Sequence, residues 1–191
     1  MDRKKAIKSL AALGFLGLTS ASVFEWTKVK IIISTDNLNQ KKYIIAELAE
    51  MIIPRTNTPG AKDAEVETYI INNIKFCTDQ KSQQNFLHGL LDLENYAFEK
   101  YNASFINCSS DRKAKILTFF EQNAFYKYQI LNKIQNKVFG KPFFSLLKEL
   151  TIEGYCTSQK GATIGLVYDY IPSSYHSCIL LSKNQRSWAT K

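Results

Sequence analysis

From Asn39 onward the apolar residues Ile44, Ile45, Leu48, Met51 and Ile52 recur at the three- and four-residue spacing of one helix face, and the pattern stops at Pro54. A strand would alternate apolar and polar residues, and this segment does not. The helical signature then returns along most of the chain. Val66, Tyr69, Ile70 and Ile74 set a second helix to about Cys77, and Phe86, Leu87, Leu90, Leu91, Leu93, Ala97 and Tyr101 set a longer third. Ser109 and Ser110 offer an N-cap to "DRKAKILTFFEQ", with Asp111 in the first turn, where a negative charge suits the helix dipole. Asn123 to Val138 reads as helical, Gly140 ends it, and Pro142 at a first-turn position starts "PFFSLLKELTIEGYCT". Helix following helix across short loops predicts an all-α bundle of about five to six helices.

The connections carry their own signals. Val29 to Ile33 reads as a short extended piece, and "RTNTPGA" (Arg55 to Ala61) is a loop built on its Pro-Gly pair. After the last helix the texture changes: Gly154, Gly161 and Gly165 interrupt helical continuity, and Val167 to Ile171 followed by Pro172-Ser173-Ser174 predicts an irregular tail or a small hairpin packed on the bundle. With 45% hydrophobic and 22% charged residues in 191, the chain has the balance of one globular domain rather than of a disordered segment.

The first 28 residues read differently from the rest. "MDRKKAIKSL" is basic, "LAALGFLGLTSA" is a short apolar run, and Thr19-Ser20-Ala21 is a small-residue cleavage site, the layout of an export signal. The division is therefore 1–28 for signal and linker and 29–191 for one helical domain. Asp2-Arg3-Lys4-Lys5-Ala6-Ile7-Lys8 is similar to the twin-arginine pattern, with Lys4 in place of the second arginine. Arg3, Lys4, Lys5 and Lys8 less Asp2 carry three of the eight net positive charges. The remaining lysines are scattered, with no basic block interleaved with aromatics, so the charge does not predict nucleic-acid binding.

Export would place Cys77, Cys108, Cys156 and Cys178 in an oxidising compartment. Three pairings are open to them. A Cys156–Cys178 bridge would fasten the irregular tail, and a Cys77–Cys108 bridge would tie the ends of the helices flanking the long third one. No C-x-x-C is present and His88 and His176 are the only histidines, which argues against a zinc site.

Cys156 or Ser158 as nucleophile, His176 as base and Asp169 as orienter supply the residue types of a triad, but not the spacing of a nucleophile elbow or a cysteine-protease signature. A hydroxyl-capped turn is the plainer reading. There is no G-x-G-x-x-G, no P-loop and no C-x-x-C-H, so nucleotide, flavin and haem binding by this chain lack a signature. The carboxylate pairs Glu47/Glu50 and Asp92/Glu94 fall on helix faces, where solvation is the usual fate. Phe119, Phe120, Phe125, Tyr126 and Tyr128 crowd one region, enough aromatics to fill a core and leave some for a partner.

Two separated blocks carry a family resemblance. Ile52-Ile53-Pro54 with Thr58 to Ala61, and Leu150 to Ser158 with Gly161 to Thr163, Tyr168, Pro172 and Cys178, resemble the corresponding segments of the gluconate 2-dehydrogenase subunit 3 family. Cys156 stands where that family often has an aromatic residue, and Pro-Ser stands where it has Pro-Gly. The resemblance implies a non-catalytic accessory subunit that accompanies an exported flavin-containing sugar or alcohol dehydrogenase of the gluconate/glucose type. This chain would hold no cofactor or metal. FAD would sit in the large subunit, with electrons leaving it to a cytochrome c partner.

The same resemblance implies that the small subunit helps the large one mature and carries it through the export translocon on one shared signal, Arg3 and Lys4 included. The complex would then reside in the periplasm, or stay tethered to the inner membrane by an uncleaved leader. Pro54, Pro59, Gly60, Glu153, Gly154, Tyr155, Thr157, Ser158, Gly161 and Tyr168 become the motif or partner-contact positions. The alternatives from other classes are a stand-alone periplasmic hydrolase using Cys156 or Ser158 with His176, and a periplasmic binding or scaffold protein.

Overall fold

Pro54 marks the first structural boundary. A proline cannot donate a helical hydrogen bond and pushes the residue before it out of the helical region, and Ile53 sits at φ −125°, ψ 86°. Helix α1 therefore runs Lys42–Ile52, entered through a 3-10 stretch, Thr35–Lys41. Its buried residues are Ile44, Ile45, Leu48 and Ala49, the face the spacing predicts. The computed structural model describes residues 35–124 and 136–168, and in the C-terminal stretch 178, 180, 183 and 185–189. The leader and the Val29 to Ile33 piece lie outside the described residues.

Among the described residues four further long helices follow: α2 (Val66–Phe76), α3 (Gln80–Tyr101), α4 (Ser110–Ala124) and α5 (Phe143–Thr157). Asp79 caps α3 by accepting the Ser82 amide at 3.1 Å, and Asn102 ends it in the left-handed region at φ 49°. The α4 start at Ser110 and the first-turn Asp111 match the sequence reading. Pro142 is the extended residue just before α5 rather than its first turn. Of the helix expected over 123–138, residues 123 and 124 end α4 and 136–139 are helical, while 125–135 fall outside the description. Gly140, at φ +84°, turns the chain toward α5, where Lys141 N donates to Ser82 Oγ at 2.9 Å.

Helix α5 is the hub and touches each of the other four. It buries Phe143, Phe144, Leu146, Leu147, Leu150, Thr151, Gly154 and Tyr155, an arc too wide for a single-sided surface helix. Two glycines set how close its neighbours come. A Cβ at Gly89 of α3 would lie 2.2 Å from Phe143 Cγ, and one at Gly154 would lie 2.8 Å from Tyr69 Cδ1 of α2. Gly154 thus sits inside α5 and does not interrupt it, contrary to the sequence expectation: the missing side chain makes room for Tyr69.

The tail also departs from expectation. Past Ser158 the chain is helical again and passes through one π-helical turn, Gly161–Gly165. Val167 then pairs with Trp188 in a parallel bridge, with Val167 N donating to Ser187 O and Ala189 N to Val167 O, both at 2.8 Å. The arms of a hairpin run antiparallel, so this bridge is not one, and the hairpin expected after Val167 falls on residues 169–177, outside the described residues. Among the described residues there is no β-strand, and the protein is all-α. No described helix is long and apolar enough to cross a membrane.

Candidate functional site

The loop after α1 is organised by one carboxylate. Glu50 Oε1 accepts the Arg55 amide at 2.8 Å and Oε2 accepts the Lys62 amide at 2.9 Å. Gly60 is buried inside this wrap, donating its amide to Asp63 Oδ2 at 3.0 Å, and a Cβ there would lie 2.4 Å from Glu50 Oε1. A glycine follows Pro59 because the carboxylate occupies the space a side chain would need. Pro54 itself is exposed and Pro59 half-buried.

The second motif block closes on the first. Tyr155, 7% exposed near the end of α5, donates its hydroxyl to Pro59 O at 2.8 Å, and Lys160 Nζ donates to Asp63 O at 2.7 Å. These two bonds join segments nearly a hundred residues apart in sequence. Gly165 lies under the Tyr155 ring, where a Cβ would be 2.3 Å from the hydroxyl, and a Cβ at Gly161 would be 1.9 Å from Tyr155 O. Ser158 Oγ donates to Tyr155 O at 2.8 Å and accepts from Gly161 N at 3.0 Å, while Thr157 Oγ1 donates to Glu153 O at 2.7 Å. Both hydroxyls are spent on capping the helix end. Burial, with help from a hydrogen bond to the Glu153 carboxylate, pushes the Tyr69 phenol above its usual range, which ties α2 to the same corner. Tyr168 is 45% exposed and Ile164 48%.

The cysteines do not pair. Cys77, Cys156 and Cys178 are exposed free thiols and Cys108 is a buried one, so neither Cys156–Cys178 nor Cys77–Cys108 is bridged. Cys77 precedes the 22-residue α3 and Cys108 follows it, which places them near opposite ends of a rod about 33 Å long, whereas a disulfide needs Cα atoms within about 7 Å. Cys156 follows the inward-facing Gly154 and Tyr155, and the helical repeat turns it outward to solvent. Arg3, Lys4, Asp169, Pro172 and His176 lie outside the described residues.

Sequence reasoning passed over the residues that bind the corner together. Glu50 was expected to be solvated, yet it holds two backbone amides. Its neighbour Glu47 pairs with Lys62 and, at 3.4 Å, with Lys113 of α4. The Lys62 hydrogen bond, reinforced by the Lys113 charge and opposed by burial, holds the Glu47 carboxyl below its ordinary range. Glu94 pairs with Lys41, and Asp92 is exposed as expected. A helix-end carboxylate four residues before a proline and nine before a Pro-Gly pair was the available signal. Among the described residues, no three of His, Cys, Asp and Glu gather as a metal site would require.

The fold and this corner define a small all-α domain in which the described motif side chains hold the loop and helix-end backbone together. The model of the gluconate 2-dehydrogenase subunit 3 family matches residues 39–172, well over half of the chain, and the protein belongs to that family. No curated protein and no solved structure gives a significant match.

Proposed function

We propose that this chain is the non-catalytic small subunit of an exported, flavin-dependent dehydrogenase of the gluconate/glucose type. It binds the large subunit, assists its maturation and brings it through the twin-arginine translocon on the leader that contains Arg3 and Lys4. FAD and the substrate belong to the large subunit, which passes electrons to a cytochrome c partner, and the complex works in the periplasm or held at the inner membrane. The observation that carries the reading is the family match over residues 39–172, and the motif residues inside that match support it, because their polar groups are consumed in holding a rigid corner. A rigid corner suits a docking element, which loses little conformational freedom on binding.

The test is recovery of the tagged chain from its native host. A co-purifying large chain with bound flavin and sugar-dependent dye reduction is the expected result, and recovery of this chain without any flavoprotein refutes the proposal. Replacing both Arg3 and Lys4 by glutamine should strand the flavoprotein in the cytoplasm; full export of the partner in that variant would rule out the shared signal.

A further inference from the structure

An open groove of about 550 Å³ runs between α3 and α4, and its walls carry Tyr96, Lys100, Lys115 and Phe119. Tyr96 and Phe119 stack across it with ring centres 4.5 Å apart and planes 11° from parallel. The stack is anchored inward: Phe119 meets Phe120 edge-on, and Phe120 meets the buried Phe143 at 6.0 Å. Phe119 nonetheless remains 42% exposed. An aromatic platform fixed to the core from behind and open in front has the character of an interface anchor, with large contact area and little freedom left to lose.

The charges around it are unbalanced. Lys100 donates to the Tyr96 hydroxyl at 2.7 Å and lies over the Tyr96 and Tyr101 rings, Arg112 lies over Tyr101 at 5.2 Å, and Lys115 has no bonded partner among the described residues. Among the described residues none of the three meets a carboxylate in an ion pair, whereas Lys41, Lys62, Lys113, Lys141 and Lys148 do. The one carboxylate among the described lining residues, Asp111, is in the first turn of α4, where the helix dipole offsets its charge.

We infer that the α3/α4 groove is the seat for an acidic surface segment of the flavoprotein subunit, with the Tyr96–Phe119 stack as the apolar anchor and Lys100 and Lys115 as the complementary charges. The inference rests on the proposed subunit role and adds to it the face that docks and the chemistry of what it accepts. Cations beside an exposed aromatic anchor suit carboxylates on a partner, and charge pairs across an interface set register and attraction.

The experiment uses the tagged full chain in its host, with flavin retained per tagged chain as the readout after washes of rising salt. K100E/K115E should retain about tenfold less flavoprotein than the wild type. K75E/K183E, which makes the same charge change on other exposed or half-exposed lysines, should retain as much as the wild type. F119S should lose retention at low salt as well, because its contribution is apolar and is not screened. All of these positions are at least partly exposed, and unchanged circular dichroism of each variant checks that the fold is intact. Wild-type retention by K100E/K115E overturns the inference while leaving the subunit role standing. Absence of flavoprotein from the wild-type chain overturns both.

Discussion

The corner that joins the two motif blocks makes a quantitative prediction. Tyr155→Phe removes one hydroxyl and its 2.8 Å bond to Pro59 O, and leaves the buried ring in place. A net hydrogen bond of this kind contributes about 1 kcal/mol, and because Pro59 is half-buried, water can replace part of it rather than leave the carbonyl stranded. For a domain of this size, 1 kcal/mol corresponds to roughly 2–4 °C in Tm.

Gly165→Ala acts on the same bond from the other side. Its Cβ would lie 2.3 Å from the Tyr155 hydroxyl and 2.9 Å from Cζ, and Gly165 is not a positive-φ residue, so the cost is steric rather than backbone strain. Displacing the hydroxyl loses the bond and adds overpacking, about 2 kcal/mol together. With the hydroxyl already gone, part of that cost disappears, and the double variant should show a coupling of roughly 1 kcal/mol. Urea unfolding of the four proteins, followed by far-ultraviolet circular dichroism, measures the cycle. A Tyr155→Phe protein as stable as the wild type, or strictly additive energies, would refute the claim that this bond fastens the corner.

Gly154→Ala should destabilise by about 1–3 kcal/mol in the same assay, although alanine is the better helix former, because the methyl would meet the Tyr69 ring at 2.8 Å and force α2 away from α5. Asp79→Ala should cost about 1 kcal/mol near neutral pH through loss of the α3 cap. Hydrogen bonds from the Ser82 side chain and amide depress the Asp79 pKa, so its contribution is present above the ordinary carboxylate range and is lost as pH falls through the folded value; the difference between Asp79→Ala and the wild type should shrink below about pH 4. In the native protein Cys77, Cys156 and Cys178 should react with a maleimide while Cys108 reacts only after unfolding, as mass spectrometry will register; a native protein with Cys77 and Cys108 both blocked by a bridge would contradict the structure.

The sequence by itself determined the elements. The apolar spacing of Ile44, Ile45 and Leu48 selects the buried face of α1, Pro54 stops it, and Ser110 and Gly140 mark further boundaries. Each of these signals acts within about one helical turn and needs no tertiary partner. The two family blocks were legible for the same reason, as short strings of residues.

What the tertiary structure decided is how those strings meet. Periodicity reports that a face is buried without reporting against what, so nothing local said that Tyr155 would reach Pro59, or that Glu50 would hold the amides of Arg55 and Lys62. By local rules a glycine weakens a helix by up to about 1 kcal/mol, which is why Gly154 read as a break. Gly89 and Gly154 are retained inside helices because Phe143 and Tyr69 fill the space a side chain would take. The cysteines follow the same logic: residue type and the export expected from the leader favoured bridges, but the length of α3 separates Cys77 from Cys108, and the turn of α5 points Cys156 to solvent.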